Sequence, residues 1–310
     1  MSITITGGFT LDGGGLTITA APLPPSAGNK AIFGYGGASA GVKVSITNLV
    51  SNTGVVATDT AGVGTARSGL AAAGYGTDKA IFGYGFNAGQ QSMTNLVSNT
   101  GVVATDTTGV GTARYDLTAA TYGTDKAIFG YGYATGPAVS TTNLVSNTGV
   151  VATDTPGVAG TRARLAAAGY GTDKAIFGYG TGPTNATNLI SNTGVVADNT
   201  TGVGTARYAL GAASYGSDKA IFGYGFSTVR VSLTNLVSNT GVVATDTTGV
   251  GTVRIAIAAA TYGTDKAIFG YGVTPALTAV TNLVSNTGVV ATDTTGVGTA
   301  RSYLAAAAYG

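Results

Sequence analysis

Short apolar runs alternate with polar turns along this chain, and the same order of runs and turns occurs six times. In the second occurrence, the apolar and aromatic run KAIFGYG covers residues 79–85. A variable stretch follows, then TNLV at 94–97, the tetrad SNTG and the run GVVAT at 101–105. A loop with Asp and Gly precedes the Ala-rich run at 114–123. Apolar runs of this length, bounded by Gly, Asn and Asp, indicate four β-strands joined by turns.

One lysine marks each copy: Lys30, Lys79, Lys126, Lys174, Lys219 and Lys266. The copies start near residues 29, 78, 125, 173, 218 and 265. A period of about 47 residues with several short strands per copy is typical of a β-propeller. We therefore predict an all-β fold in which residues 26–310 form a six-bladed propeller with four-stranded blades. An open β-solenoid is the alternative architecture, but it needs polar caps. The Ala-rich runs could instead form short helices, since Ala and Leu favour them.

The two ends of the repeat array predict how the ring closes. The array begins near Lys30 with the second strand of a blade, and it stops at Gly310, directly after an Ala-rich strand. Pairing the C-terminal strand into the first blade would remove an open edge.

The first 25 residues differ from the repeats. β-Branched and polar residues alternate in SITITGG, residues 2–8, and in GLTITA, residues 15–20, which predicts a β-hairpin arm. Residues 21–25, APLPP, predict an extended spacer. We expect residues 1–25 to be an anchor for attachment to a partner, and a frayed tail is the alternative.

Composition excludes most catalytic chemistry. The chain has 310 residues, of which only 9% are charged, and it contains no Cys, His, Trp or Glu. Ser–His–Asp and Cys–His sites, zinc sites of Cys and His, and disulfides are thereby ruled out. We predict no enzymatic activity and no cofactor, while calcium binding stays open. The sequence has no basic stripe of the kind that nucleic-acid binding usually needs. No apolar run reaches the length that crosses a membrane, and the first residues lack the pattern of a signal peptide.

Charged residues recur at fixed places in the copies and are predicted to be structural. An Asp in the loop after GVVAT is expected to hydrogen-bond its own loop as an Asx-turn, and copy four has Asp198 and Asn199 there. The lysine of TDK and the arginine of TAR are expected to pair with Asp, rather than to form a ring of cations that binds an anion. These structural positions are represented by Asp59, Arg67, Asp78, Lys79, Asp106, Arg114, Asp125 and Lys126, with further loop aspartates at Asp154, Asp246 and Asp293.

Two sites differ strongly between copies. The longer one follows GYG and covers residues 37–46, 86–93, 133–141, 181–186, 226–233 and 273–280, and the shorter one is the dipeptide after the TAR arginine. Loops on a rigid scaffold commonly carry binding, so we predict that the longer segments form one binding face; drift in unconstrained loops is the alternative. The candidate ligand-binding residues are Lys43, Phe86, Asn87, Gln90, Gln91, Tyr133, Thr135, Asn185, Phe226, Arg230 and Thr274.

The repeat pattern over residues 29–310 resembles kelch repeats: AIFGYG stands at the diglycine strand, and TARSGLAAAGYG at the Arg loop and small-residue strand. The near-identical AIFGYG and TNLVSNTGVVATDTTGVGTAR copies, together with ITGG and GGG near the start, resemble structural proteins of environmental tailed phages. This resemblance implies a virion surface or tail protein in multiple copies, with virion or tail proteins and a host surface glycan or envelope component as partners. A bacterial extracellular lectin or surface-layer assembly protein is the alternative.

Overall fold

The structure, a computed structural model, describes residues 9–12, 15–18, 29–158 and 160–310. This part of the chain is all-β, with six three-stranded antiparallel sheets and one two-stranded hairpin. The one helix among these residues is a short 3-10 turn at Ser39–Gly41. No helix in the described part is long and apolar enough to cross a membrane.

Each of the six sheets contains an Ala-rich strand, a KAIFG strand and a TNLV strand, with the KAIFG strand in the middle. The Ala-rich strands are β5 (Ala71–Tyr75), β8 (Thr118–Tyr122), β11 (Ala166–Tyr170), β14 (Gly211–Tyr215), β17 (Ala258–Tyr262) and β20 (Ala305–Tyr309). The KAIFG strands are β3 (Lys30–Gly34), β6 (Lys79–Phe86), β9 (Lys126–Gly130), β12 (Lys174–Gly178), β15 (Lys219–Gly223) and β18 (Lys266–Gly270). The TNLV strands are β4 (Thr47–Val50), β7 (Gln90–Val97), β10 (Thr142–Val145), β13 (Thr187–Ile190), β16 (Thr234–Val237) and β19 (Thr281–Val284).

The Ala-rich strand at the end of one sequence copy pairs with the KAIFG strand of the next copy. In the second sheet, β5 lies against β6 with Ala71 opposite Gly83. The C-terminal strand β20 pairs with β3, the first strand of the repeats, with Tyr309 opposite Lys30, as expected from the two ends of the array. The alternative of short helices for the Ala-rich runs is wrong, because all six are strands.

The GVVAT segment, predicted as a further strand, contacts its sheet through isolated bridges. In the second sheet, Val97 is bridged to Val103 and Thr94 to Thr107. The register shifts by one residue between these two bridges, so no continuous ladder forms. An extra residue on one strand interrupts the pairing in this way. Each sheet therefore has three regular strands and a bridged outer segment.

Neighbouring sheets pack through an aromatic ring placed on a glycine. A Cβ atom added to Gly34 would lie 2.7 Å from Cζ of Phe82, which belongs to the next sheet. The same relation holds between Gly83 and Phe129, Gly130 and Phe177, Gly178 and Phe222, Gly223 and Phe269, and Gly270 and Phe33. The first glycine of GYG therefore makes room for the next sheet. Each Ala-rich strand also contacts the Ala-rich strands of the two adjacent sheets, and β20 contacts β5.

The N-terminal arm contains a hairpin, but its first strand is not the predicted one. Strand β1 (Phe9–Asp12) pairs with β2 (Gly15–Ile18), and Asp12 is opposite Gly15. The predicted strand at 2–8 and the spacer at 21–25 lie outside the described residues. Asp12 and Gly15 are separated in the sequence by two residues, both glycine.

Candidate functional site

Six backbone hydrogen bonds form a closed cycle at the start of the Ala-rich segments. The N–H of Asp116 donates to the carbonyl of Gly69 at 2.7 Å, and the N–H of Gly69 donates to that of Tyr303 at 2.8 Å. The same bond joins Arg164 to Asp116, Ala209 to Arg164, Ala256 to Ala209, and Tyr303 to Ala256. All six residues have φ between 52° and 63°. We call Gly69, Asp116, Arg164, Ala209, Ala256 and Tyr303 the cyclic ring.

The two variable sites lie side by side. The residue before each cyclic-ring residue is paired with the first residue of a long variable segment. The pairs are Ser68 with Phe86, Tyr115 with Tyr133, Tyr208 with Phe226, Ile255 with Val273, Ser302 with Gly37, and Ala163 with Thr181. Both variable sites therefore contribute to one surface in each sheet.

Aromatic side chains cluster where these pairs occur. The ring centroids of Phe86 and Tyr115 are 5.3 Å apart, and those of Tyr115 and Tyr133 are 5.4 Å apart. The Nζ atom of Lys43 lies 5.3 Å from the centroid of Phe86. We call these four residues the aromatic row; all are half-buried. A second pair, Tyr208 and Phe226, has centroids 5.4 Å apart.

Charged residues of the cyclic ring form an ion pair beside this surface. The Nε atom of Arg164 donates to Oδ2 of Asp116 at 2.7 Å. The guanidinium of Arg164 also lies 5.6 Å from the ring centroid of Tyr303. Burial raises the pKa of the Asp116 carboxyl, although Arg164 acts in the opposite direction. This pair was missed in the sequence, where the only signal was the variability of the dipeptide after the TAR arginine.

The remaining predicted site residues are divided between this surface and the internal structure of their loops. Gln90 donates from Nε2 to the carbonyl of Ala134 at 3.5 Å, which joins the aromatic row's two loops, and Arg230 is bridged to Phe226. In contrast, Asn185 donates to the carbonyl of Gly204 at 2.7 Å. The other four serve turns or strand ends or are exposed: Asn87, Gln91, Thr135 and Thr274.

The TAR arginines are buried between sheets and serve the fold. Arg67 is 0% exposed, donates from Nη2 to Oδ1 of Asn95 at 2.7 Å, and lies 4.4 Å from the ring centroid of Tyr35. Its Nη1 atom is 3.8 Å from Oδ1 of Asp106. Arg114 repeats this arrangement with Asn143, Tyr84 and Asp154.

The loop aspartates connect two sequence copies, so the predicted Asx-turn within their own loop was wrong. Oδ2 of Asp106 accepts hydrogen bonds from the N–H of Thr65 at 3.0 Å and from its Oγ1 at 2.6 Å. Burial acts to raise the pKa of Asp106, but the hydrogen bonds from Thr65 and Asn95 and the charge of Arg67 hold it below its ordinary value. Asp59, Asp154, Asp246 and Asp293 accept the equivalent bonds from Thr299, Thr112, Thr205 and Thr252.

Copy four changes both sides of this connection. Asn199 takes the place of the aspartate and accepts from Nδ2 of Asn188 at 3.0 Å. In the preceding copy, the sequence GVAGTR replaces GVGTAR, so Gly160 stands where the other copies have the donor threonine. The missing carboxylate therefore coincides with a missing donor.

The turn lysines are paired at the opposite ends of the strands. Nζ of Lys79 is 2.7 Å from Oδ1 of Asp78, and Nζ of Lys126 is 3.0 Å from Oδ1 of Asp125. Lys174, Lys219 and Lys266 have the same partner, the aspartate directly before them. Lys30 follows Asn29 instead. The expected pairing with Asp is thus present at five of the six turns.

The net charge of the protein resides in the variable sites. Of the 15 Lys and Arg residues, twelve recur at the TDK and TAR positions, and the other three are Lys43, Arg164 and Arg230. Of the 13 Asp residues, only Asp116 lies in a variable site. Three cations and one carboxylate give the net charge of +2.

No group of three or more Asp side chains that could hold a metal ion occurs in the described ranges. No protein-family model matches the chain, and no curated protein sequence is significantly similar to it. The resemblance to kelch repeats and to phage proteins therefore stays a prediction.

Proposed function

We propose that the repeats form a closed six-bladed β-propeller and that its variable loops form a non-enzymatic binding face for a host surface glycan. Three features support closure: the pairing of β20 with β3, the contacts of each Ala-rich strand with two others, and the hydrogen-bonded cyclic ring. The bridged GVVAT segment serves as the fourth, outer strand of each blade.

The aromatic row is the observation that carries the binding proposal. Its side chains come from three sequence copies and remain half-buried rather than fully covered. An aromatic ring combines a large apolar face with hydrogen-bonding groups when it is Tyr, and a sugar ring has a complementary apolar face and hydroxyl rim. Covering one such ring contributes roughly 1.5–3 kcal/mol. A weak site of this kind gains strongly when many copies act together.

The setting that we propose is the surface of a tailed-phage virion, to which residues 1–25 attach the protein. Support comes from the sequence resemblance and from the hairpin of β1 and β2, whose strand edges can extend a partner sheet. Deleting residues 1–25 should leave a soluble protein that is not incorporated into particles. Normal incorporation of the shortened protein would overturn this assignment of the arm.

The binding proposal is tested by replacing Phe86, Tyr133 and Phe226 with Ala in one variant. We expect binding to the purified host surface polysaccharide to weaken at least tenfold, measured by surface-immobilised titration, because three apolar faces are lost. Circular dichroism and the melting temperature should stay close to those of the unchanged protein, since none of the three side chains is fully buried.

The matched control changes the opposite ends of the strands. Thr100 and Thr148 are exposed residues of the SNTG turns, and replacing them with Ala should leave polysaccharide binding intact. If the Thr variants lose binding and the aromatic variant keeps it, the binding surface lies at the SNTG turns and the proposal is wrong.

A further inference from the structure

A small cavity lies inside the cyclic ring, among residues that the predicted site does not contain. Its volume is about 70 Å³. It is lined by the six cyclic-ring residues, which we call its rim, and by the six aliphatic residues that follow them in the sequence, which we call its floor. The floor residues, one from each copy, are Leu70, Leu117, Leu165, Leu210, Ile257 and Leu304, each at most 6% exposed. The cavity therefore combines an apolar base with a rim whose composition differs from copy to copy.

The rim has polar side chains on one side and small side chains on the other. Asp116, Arg164 and Tyr303 carry its polar groups, whereas Ala209 and Ala256 leave space. Arg164 is fixed through Nε by Asp116 Oδ2, with its side chain 33% exposed, so the remaining guanidinium N–H groups can donate to a ligand. A Cβ atom at Gly69 would lie 2.6 Å from Oδ1 of Asp116. A side chain at Gly69 would therefore occupy the space next to this acceptor oxygen.

We propose that this cavity binds the acetamido group of an N-acetylated sugar. The proposal rests on the proposed carbohydrate-binding function and names the sugar class that the centre of the binding face selects. The methyl group would contact the aliphatic floor, the carbonyl would accept from Arg164, and the amide N–H would donate to Oδ1 of Asp116.

Size favours a group of this kind. A cavity of about 150 Å³ holds a benzene molecule with its six carbon atoms, so a cavity of roughly half that volume suits about three non-hydrogen atoms. The methyl and carbonyl part of an acetamido group has this size. A whole sugar ring is too large to enter. The sugar ring would then lie above the rim, on the side of Tyr303 and the aromatic row.

Charge favours a neutral group over an anion. The Arg164 guanidinium already neutralises a carboxylate whose side chain is only 5% exposed, and a second carboxylate would be placed close to Asp116. Like charges at such short range are unfavourable in a partly buried site. An amide has no charge, yet it uses both the donor and the acceptor that the ion pair leaves open.

The test compares sugars that differ at one group. The intact protein is titrated with N-acetylglucosamine, glucose and glucuronate, and binding is followed by ligand-observed NMR. We expect N-acetylglucosamine to bind at least tenfold more tightly than glucose. In the double variant Asp116→Ala/Arg164→Ala, this preference should disappear. Ala is already present at the same ring position in two other copies, with the same positive φ, so the backbone accepts the change.

Two further variants separate the cavity from general effects on stability. Ala209→Tyr copies the residue of Tyr303 and fills the cavity without removing the ion pair, so it should also abolish the preference. Asp125→Ala/Lys126→Ala removes an ion pair of 3.0 Å at the opposite ends of the strands and should retain it.

The outcomes distinguish this proposal from the one on which it rests. Equal binding of glucose and N-acetylglucosamine, unaffected by either cavity variant, would overturn the acetamido site and leave the carbohydrate-binding face intact. If glucuronate binds more tightly than N-acetylglucosamine and this preference is lost in the double variant, the acetamido site is wrong and the cavity is an anion site. If neither these sugars nor the host polysaccharide bind, the carbohydrate-binding function itself is wrong, and this inference fails with it.

Discussion

The tyrosine of each GYG motif adopts a backbone conformation that normally favours glycine. Tyr84 has φ of +64° and is 0% exposed. A left-handed conformation costs a non-glycine residue about 1–2 kcal/mol. The side chain offsets this cost, since the hydroxyl donates to the carbonyl of Val110 at 3.1 Å and the ring lies 4.7 Å from the Arg114 guanidinium. The tyrosine thus connects two sheets.

These tyrosines predict a loss of stability at high pH. Burial raises the pKa of Tyr35, Tyr84, Tyr179, Tyr224 and Tyr271 to about 12, partly opposed by the neighbouring arginine. The unfolded value is about 10. Their stabilising contribution is therefore complete below pH 10 and is lost as the pH rises from 10 to 12, because the unfolded chain releases these protons more readily.

The free energy of unfolding, measured by urea denaturation, should fall steeply from pH 10 to 11.5. Absorbance at the phenolate band should show most of these hydroxyls ionising only with unfolding. A constant unfolding free energy up to pH 11.5 would contradict the burial that defines these residues.

Pairing between neighbouring residues in the sequence was predicted more successfully than contacts between copies. The lysines were expected to pair with an aspartate, and Lys79 is paired with Asp78, the residue directly before it. The partner of Asp106 is Thr65, which lies 41 residues away and is brought close only by the packing of neighbouring loops. Sequence spacing carries no direct signal for that contact. The same limitation hid Arg164 and Asp116.

At the scale of strands, three of the four predicted segments in each copy formed regular strands. Their apolar runs and bounding turns were sufficient to locate them. GVVAT has the composition of a strand, but its bridges are out of step by one residue, and composition does not reveal register. In the second sheet, strands β6 and β7 extend into the variable segment, and Phe86 pairs with Gln90. This extension was not predicted, because the segment has no pattern shared between copies.

Sheet packing gives a prediction for Gly83 in strand β6. In Gly83→Ala, the new Cβ atom would lie 2.7 Å from Cζ of Phe129. Phe129 is 0% exposed and cannot move freely, so we expect the free energy of unfolding to decrease by about 1–3 kcal/mol. Urea denaturation of the variant and of the unchanged protein measures this difference.

The matched control is Gly89→Ala, where an added Cβ atom meets nothing within 4 Å. This change should be neutral or stabilise the protein by up to about 1 kcal/mol, because it restricts the unfolded chain. Similar losses for both variants would mean that the contact between Gly83 and Phe129 is not the cause.

At the scale of the whole molecule, a second set of backbone hydrogen bonds joins the copies at the TDK turns. The N–H of Gly76 donates to the carbonyl of Asp125 at 2.7 Å, and the N–H of Gly310 donates to that of Asp78 at 2.8 Å. Equivalent bonds start at Gly123, Gly171, Gly216 and Gly263. The number of copies and their order could be predicted from the lysine period. The distribution of variable residues around the cyclic ring could not, because it depends on how the copies meet.

The closed propeller that we propose predicts that the position of the chain ends is unimportant for stability. The N–H of Asn29 donates to the carbonyl of Gly310 at 2.7 Å, so one threonine can join these residues. The resulting YGTNK differs from the natural YGTDK of residues 75–79 by one residue. New ends placed between Ala88 and Gly89, where Ala88 is exposed, give a circular permutant of residues 29–310. We expect its free energy of unfolding to be within about 1 kcal/mol of that of linear 29–310, since loop ends of this kind commonly tolerate permutation. A monomeric permutant with cooperative urea unfolding would support a closed ring of six blades, whereas aggregation of the permutant beside a well-folded linear chain would show that the copies do not close on themselves.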